Sequence, residues 1–415
     1  MLPNSIPTPS DTDSKPKPIE DVCERIRIHN REFADDPHKV YAWMRAQSPL
    51  VPVELAPGVP ATLVVRYRAA LRILNDPERF PADPRRWQLT MPSGCPIAPM
   101  VQWRPNALRS AGVAHDRYRR ANLDSLDGID LHRLRETVID AAEARLDALC
   151  RRRDIQDANR IDVISDYARP LVFGVLNQLL GCTDEVGDEV AWALARMFES
   201  TEHTEQVNMV LGRSLGGHIA AKEAVPGNDV TSRLIAHDTG LDDEELVNQL
   251  VTLFGAGLEP TTNLLANTLL LIFTDPRFMA NGDGFGVPIR EAVTEIEITD
   301  PPMANYCLSY PPAGVDVDGI WLPAHQPVVI SMASCNNDPA IAGVDGKYLQ
   351  AGWGLGYSAG PHQCPKTAQA VARLIATEGN TRFIDRLPDA RPLGRPVWRP
   401  GPFHRALSRF PVSLH

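Results

Sequence analysis

The stretch from Tyr357 to Pro365 holds a single cysteine among residues that each suit a metal-bound thiolate. A thiolate that binds a haem iron has to be deprotonated and held still against the face of the porphyrin. Gly360 allows a tight turn at a place where a side chain would strike the ring. Pro365 suits the start of a helix, because it has no N–H group to leave unpaired. Cys364 is therefore a candidate iron ligand, and a buried structural cysteine in a loop rich in glycine and proline is the alternative.

The residues on either side of the cysteine extend this interpretation. The pattern predicts a helix from Lys366 to about Ala376, whose N-terminal N–H groups would stabilise negative charge on the sulfur. His362 lies two residues before the cysteine, where an imidazole could contact an anionic edge of a cofactor. The spacing His362-x-Cys364 is too short and too isolated to indicate a zinc site.

The composition is that of a globular protein and argues against several function classes. Hydrophobic residues make up 43% and charged residues 23% of the 415 residues, as in ordinary globular chains. The net charge of −10 argues against nucleic acid as a general partner, and no apolar run approaches the length that spans a membrane. The seven cysteines are scattered and form no Cys-x-x-Cys pair, which favours a reducing cytoplasm over a disulfide framework or a zinc site.

Two parts of unequal size are expected along the chain. Residues 1–20 are polar, rich in proline, serine, aspartate and lysine, and lack the apolar region of a secretory signal. We predict that they form a disordered tail. Residues 21–415 contain no repeat and no low-complexity linker, which predicts a single domain.

The periodicity predicts a mainly α protein with a small β portion at each end. The longest helical candidate, Asp242–Phe273, begins with four acidic residues that suit a helix N-terminus. Its middle is apolar around most of its circumference, as in a buried central helix. Short β-like runs lie at Leu50–Glu54 and Ala61–Val65. In contrast, Pro81–Asn106 has no clear period and is predicted to be a long loop.

The cysteine loop, its position late in the chain and the long central helix together resemble the cytochrome P450 superfamily of haem-thiolate monooxygenases, and most of all its soluble bacterial members. The resemblance implies a cytochrome P450 fold in which haem b lies between the long central helix and the cysteine-loop helix, with Cys364 as the iron ligand. Tyr357 stands at a family phenylalanine place, Gly360 at a glycine place and His362 at a basic place. Lys366 stands where the family has glycine, which is a departure.

A second part of the resemblance is His115-Asp-Arg-Tyr-Arg119, which is similar to the His-x-x-x-Arg of the family. The resemblance implies that His115 and Arg119 bind a haem propionate. A spacing of four residues places both side chains on one helical face, and a bidentate contact between arginine and a carboxylate is strong and directional. A solvated basic face is the alternative.

A third part lies in the long helix, where Ala256 and Gly257 resemble the small residues over which the family's helix opens above the iron. Glu259 matches the acid of the family's proton relay, a role that requires general acid–base chemistry. The alcohol place is taken by Pro260, which removes an N–H group and is expected to kink the helix. Such a kink could turn Thr261 toward the iron as a substitute relay. The alternative for Thr261 and Thr262 is that their hydroxyl groups bond back to the preceding turn.

Other departures concern the network that supports the cysteine loop. The family carries Glu-x-x-Arg before the cysteine loop, and here Glu295 is present but Ile298 stands at the arginine place. A lone buried carboxylate costs several kcal/mol, so Glu295 is expected to be solvated, protonated or paired elsewhere. The segment Pro339–Gly352 looks shorter than the family's meander. The strand Cys307–Tyr310 lacks the additional propionate-binding arginine of many members.

The resemblance also implies where a substrate and an electron donor would bind. Leu253, Met303, Ala304 and Phe403 are expected to line the pocket, together with the small residues of the long helix. Such a lining suits a small, largely apolar organic molecule. A basic patch would steer an acidic electron donor of the ferredoxin or flavodoxin type, with an ordinary solvated surface as the alternative, and its candidate members are Arg117, Arg120, Lys366 and Arg373.

Three functions remain open from the sequence. The first is a cytoplasmic, monomeric monooxygenase that inserts one oxygen atom from O2 into its substrate. The second is a haem-binding protein with lost or altered catalysis, such as a ligand sensor or a scaffold. The third is a peroxide-driven haem enzyme.

Overall fold

The structure, a computed structural model, describes residues 15–156, 159–199, 204–278, 288–342 and 354–414. Side chains of a few residues at the edges of these ranges are outside the description.

The strands of the described residues are short and form four small sheets. Their bounds are β1 (Lys17–Pro18), β2 (Ile26–Arg27), β3 (Leu50–Ala56), β4 (Val59–Val64), β5 (Arg160–Asp162), β6 (Asn305–Ser309), β7 (Val315–Val317), β8 (Ile320–Leu322), β9 (Val328–Ser331), β10 (Arg391–Pro392), β11 (Val397–Trp398), β12 (Leu407–Arg409) and β13 (Pro411–Ser413). The largest sheet has the order β2-β3-β4-β9-β6, and the others are β1-β8-β7, β10-β13-β5 and β11-β12.

Helices make up most of the described chain. Their bounds are α1 (Arg31–Asp35), α2 (Pro37–Gln47), α3 (Tyr67–Leu74), α4 (Arg85–Gln88), α5 (Ala98–Val101), α6 (Gly112–Asp127), α7 (Leu131–Gln156), α8 (Arg169–Leu179), α9 (Asp184–Glu199), α10 (Thr204–Ala224), α11 (Val230–Ile235), α12 (Asp243–Thr274), α13 (Ile289–Thr299), α14 (Met332–Asn336), α15 (Pro339–Ala342) and α16 (Lys366–Arg386). A π-helical turn at Val163–Ala168 leads into α8. The mainly α fold with a small β portion is confirmed.

The central helix α12 starts where the acidic run predicts it. The Asp242 side chain accepts from the N–H of Glu245, and the Glu245 side chain accepts from the N–H of Asp242. This reciprocal pair is a capping box, which satisfies two N–H groups that a helix start leaves open. The helix continues for 32 residues through Pro260. It packs against α8, α10, α13 and α16, so most of its surface is buried, as its apolar sequence requires.

The predicted short elements near the N-terminus are also present. Antiparallel β3 and β4 pair from Leu50 and Val64 onward, and Gly58 takes a φ of 74° in the turn between them, a region that favours glycine. The predicted loop Pro81–Asn106 contains α4 and α5, two single-turn helices. The helix after the cysteine extends to Arg386, well beyond its predicted end.

The prediction of a disordered tail needs correction at its end. Residues 1–14 lie outside the described residues, but 15–20 are ordered. Lys17 and Pro18 pair in parallel with Ile320 and Trp321 of β8, and Ile19 is only 1% exposed. A single buried apolar residue after the prolines therefore anchors the segment. Among the described residues, no helix is both long enough and apolar enough to cross a membrane.

Candidate cofactor and substrate site

A cavity of about 370 Å³ lies between α12, α6, α16 and the loop that precedes α6. Its lining is mainly apolar, and it brings together residues that are far apart in sequence. The predicted site residues on its wall are His115, Arg119, Leu253, Ala256, Gly257, Thr261, Met303, Tyr357, His362 and Cys364. The predicted residues that do not line it are Glu259, Ala304, Gly360 and Phe403.

Cys364 lies at the floor of this cavity, at the end of the loop that leads into α16. Its N–H donates to the carbonyl of Tyr357 at 3.0 Å, and the side-chain amide of Gln369 donates to its carbonyl at 2.8 Å. Burial raises the pKa of the thiol to about 12, and the charges of Arg119 and Arg373 oppose this rise. The sulfur is thus a thiol on its own. Coordination to a metal ion would deprotonate it, because a metal charge outweighs burial.

Cationic and imidazole groups gather at one end of the same cavity. The rings of His115 and His362 lie 4.0 Å apart between centroids, and His362 Nε2 lies 3.0 Å from the carbonyl oxygen of Ser110. His115 Nε2 is buried and has no hydrogen-bond partner among the described residues. Burial lowers the pKa of both imidazoles, that of His362 to about 4. Arg119 lines the cavity beside them.

The structure adds Arg109 to this end of the cavity. The side chain is 5% exposed and donates to the carbonyl of Met100 and the hydroxyl of Tyr306. It forms no ion pair with a carboxylate of the described chain. Tyr306 belongs to β6, the strand that lacks the arginine of many family members. Sequence reasoning missed Arg109, although its position six residues before His115 could have pointed to it.

Comparison with known proteins finds relatives that cover almost the whole chain. No protein-family profile matches the chain. It is 28% identical over 397 residues to the cytochrome P450 monooxygenase PikC of Streptomyces venezuelae, covering 92% of each chain. It is 27% identical to the vitamin D(3) 25-hydroxylase of Pseudonocardia autotrophica, covering 94% of this chain and 97% of the relative. Its fold matches CYP154C4 from Streptomyces sp. W2061 with a TM-score of 0.82 at 23% identity, covering 94% of this chain and 98% of that one.

The chain is homologous, over almost its whole length, to members of the cytochrome P450 superfamily of monooxygenases. This superfamily uses a haem-thiolate cofactor. The residues of this chain fit such a cofactor: the Cys364 thiol faces an apolar cavity, and a group of basic side chains, one with an orphaned imidazole nitrogen, faces the same space. Buried cations without carboxylate partners are costly, and an apolar ring with anionic edges would supply those partners.

Glu259 is not placed as a free relay acid. It is 4% exposed, it pairs with Arg399, and Arg169 lies 3.9 Å away. Burial would raise the pKa of its carboxyl, but Arg399 and then His404 lower it overall. Glu259 is therefore an ionised group held between α12 and the C-terminal segment. His404 lines the cavity and is close enough to Glu259 for the two charges to interact.

The residues after Glu259 are placed differently from one another. Pro260 and Thr261 line the cavity, and the helix continues past them, so the proline does not end it. The hydroxyl of Thr262 is buried without a hydrogen-bond partner among the described residues. Back-bonding to the preceding turn, the alternative for these threonines, is thus absent at Thr262.

Tyr357, Glu297 and Arg373 form a hydrogen-bonded group at the cysteine loop, where the family has Glu-x-x-Arg. Glu295 is partly exposed and pairs with Arg277 at 2.9 Å, so it is paired elsewhere, one of the three expected outcomes. The buried carboxylate of α13 is Glu297, at 7% exposure. Tyr357 donates to Glu297 at 2.5 Å, and Arg373 Nε donates at 2.9 Å to both of its oxygens. We call these three residues the Glu297 clamp.

The Glu297 clamp connects two helices to the cysteine loop. Glu297 lies on α13 and Arg373 on α16, and the guanidinium of Arg373 lies 5.0 Å from the ring centroid of Tyr357. The carbonyl of Tyr357 accepts the N–H of Cys364. A second link runs through Asn336, which donates to the carbonyl of Ile298 at 2.9 Å and accepts from the N–H of Leu355 at 2.7 Å. The predicted short meander falls largely on residues 343–353, outside the described residues.

Gly360 is required because the backbone of α3 approaches it closely, whereas the expected close neighbour was the ring of a cofactor. Its φ is 71°, which confirms the tight turn. An added Cβ would lie 2.1 Å from the carbonyl oxygen of Leu74, so the close neighbour is α3. Ala304 and Phe403 were expected on the pocket wall, but both lie in the buried apolar cluster around the largest sheet.

Proposed function

We propose that this protein is a cytochrome P450 that binds haem b through Cys364 and inserts one oxygen atom of O2 into an organic substrate held in the cavity. The observation that carries the proposal is that the Cys364 thiol lies on the wall of a mainly apolar cavity that is also lined by basic side chains. When bound, haem supplies the activation of O2. The chain supplies binding, orientation and protons.

Four side chains are proposed to hold the carboxylates of haem. His115, Arg119 and His362 were predicted for this role, and Arg109 joins them. The orphaned Nε2 of His115 and the uncompensated charge of Arg109 support this assignment, because each gains a partner when an anion is bound.

The opposite wall is proposed to hold the substrate. Leu253, Met303, Ala256 and Gly257 offer apolar or small surfaces, which exclude water and suit a largely apolar molecule. We assign the last proton transfer to the hydroxyl of Thr261, because the alcohol place holds Pro260 and Glu259 is ion-paired.

Electrons are proposed to come from a ferredoxin or flavodoxin-type partner. The proposed basic patch is weaker than its sequence suggests. Arg117 pairs with Glu245, Arg120 with Asp238 and Arg373 with Glu297, which leaves Lys366 as its exposed cation without an ion pair among the described residues. A monomer in the cytoplasm remains our proposal, and the seven free cysteines support a reducing compartment.

The second candidate function is that of a haem-binding protein with altered catalysis. The ion pair of Glu259 and the presence of Pro260 favour it. Both changes affect the proton relay and leave the thiol and the basic cluster in place, as expected of a haem-binding protein with altered catalysis. A peroxide-driven enzyme is the remaining alternative, since peroxide already carries the oxygen atoms and the protons.

The first test is the absorption spectrum of the ferric protein and of the dithionite-reduced protein under CO. The wild type is expected to give a red-shifted, thiolate-type Soret band that Cys364→Ser lacks. Absence of haem, or a CO complex without the shift, would overturn the proposal. Turnover with NAD(P)H and surrogate donors, compared with turnover on peroxide alone, then separates the monooxygenase from the two alternatives.

A further inference from the structure

Arg104 is a cation on the cavity wall that the proposed cofactor contacts do not use. It lies in the loop before α6 and lines both the main cavity and a neighbouring pocket of about 350 Å³ between α10 and α12. Its Nη2 donates to Oδ1 of Asn208 at 3.0 Å, and its Nη1 lies 3.5 Å from Oδ1 of Asn248. These partners place the guanidinium on the wall that α10 and α12 form.

The charge of Arg104 has no anionic partner within the described chain. Asp243 and Glu244 line the neighbouring pocket, but neither forms an ion pair with it. Burial, and then the charge of Arg109, lower the pKa of Arg104. A guanidinium that faces an apolar cavity with only amide oxygens as partners costs free energy, and a bound carboxylate would offset that cost.

The loop that carries Arg104 is fixed to α12 by side-chain hydrogen bonds. The amide of Asn106 donates to the hydroxyl of Thr252 at 2.8 Å. Gln249 donates to the carbonyl of Pro105 at 3.0 Å. Because the two residues that follow Arg104 are held against α12, the guanidinium is preorganised for a ligand.

We propose that Arg104 binds the carboxylate of the substrate, so that the substrate is an apolar carboxylic acid. This rests on the proposed function, because it takes the cavity as the place of oxidation. Asn248 precedes Ala256 by eight residues, which separates them by about 12 Å along the helix axis. The carboxylate therefore lies far from the oxidised carbon, and the molecule between them is an extended apolar chain.

Calorimetric titration of the haem-loaded protein with dodecanoate and with dodecan-1-ol tests the proposal. These probes share an apolar chain and differ in the carboxylate. The wild type is expected to bind dodecanoate about tenfold or more tightly than the alcohol, and Arg104→Gln is expected to remove this preference and leave alcohol binding unchanged. Arg86→Gln is the matched control, since Arg86 is an exposed arginine of α4 that does not line the cavity.

Three results would overturn the proposal. Equal binding of acid and alcohol by the wild type shows that no carboxylate site exists. Equal weakening of both ligands in Arg104→Gln shows a structural role only. Faster loss of haem to apomyoglobin from Arg104→Gln, with the acid preference intact, shows that Arg104 holds a carboxylate of the cofactor. The CO spectrum of each sample reports separately on the proposed function, and calorimetry measures acid selectivity whatever that spectrum shows.

Discussion

Two adjacent threonines of α12 differ in what their hydroxyl groups can do. Thr261 lines the cavity, whereas the hydroxyl of Thr262 is buried without a partner among the described residues. If Thr261 delivers protons, Thr261→Val should lower the product formed per NAD(P)H roughly tenfold and raise peroxide release, as loss of a general acid–base group does. The measurement is the ratio of product to cofactor consumed in a reconstituted assay.

Thr262→Val is the matched control for Thr261→Val. Its hydroxyl forms no hydrogen bond in the described structure, so the isosteric change should leave both coupling and stability almost unchanged. A normal product ratio in Thr261→Val would assign the relay to another group, and His404 beside Glu259 would be the first to examine.

The elements around the cysteine loop are joined by the Glu297 clamp. Tyr357→Phe removes a hydrogen bond to a buried carboxylate, and Glu297→Gln removes the ion pair with Arg373. Each should lower the free energy of unfolding by about 1–3 kcal/mol. Each should also increase the fraction of the CO complex that lacks the thiolate-type band, because the carbonyl of Tyr357 holds the N–H of Cys364.

Glu295→Gln controls for the charge change on the same helix. Glu295 is partly exposed and pairs with Arg277 at the surface, so its loss should cost less than about 1 kcal/mol. If Glu295→Gln altered the CO spectrum as strongly as Glu297→Gln, the loop would depend on the charge of α13 and not on the clamp.

The link between α6 and the start of α12 predicts how acid affects stability. Arg117 holds the pKa of Glu245 at about 2, below its ordinary value of 4.5, through a contact of 2.6 Å. Because the folded-state pKa is depressed, this stabilisation is present above pH 4.5 and is lost as the pH falls toward 2.

Glu245→Gln should therefore lower the free energy of unfolding at pH 7 by about 2 kcal/mol, after allowance for the partial exposure of Arg117. The difference from wild type should shrink as the pH falls below 4.5 in urea titrations. The exposed neighbour Glu244 forms no ion pair among the described residues, so Glu244→Gln should show neither effect. A difference that stays constant with pH would rule out the ion pair as its source.

The sequence was most informative where function depends on neighbouring residues of one element. The acidic start of α12, the His115–Arg119 pair and the cysteine loop each span a few residues, so local pattern together with the family resemblance could predict them. In contrast, Glu297 and Arg373 are 76 residues apart, and Glu259 and Arg399 are 140 residues apart. Such pairs depend on how helices and terminal segments pack, which local periodicity does not encode. Gly360 shows the same limit, since its turn was predictable and its contact with Leu74 was not.

For the whole molecule, charge decides how an electron donor approaches. The chain carries a net charge of −10, and the arginines of the proposed basic patch have carboxylate partners. If the proposed donor is an acidic ferredoxin, Lys366, at the start of α16 and two residues after Cys364, is the exposed cation of that patch left to attract it. Lys366→Glu should lower the second-order rate of reduction by such a donor several-fold at low salt and much less at high salt.

Lys39→Glu provides the comparison that separates local from global electrostatics. Lys39 is an exposed residue of α2, and its substitution changes the net charge by the same amount. Loss of rate in Lys366→Glu alone, measured by stopped-flow reduction under CO, places the donor against the start of α16. Equal losses in both variants would mean that net charge alone governs the encounter. No loss in either would move the docking surface away from the cysteine-loop helix, since steering by a few close charges fades within about one Debye length.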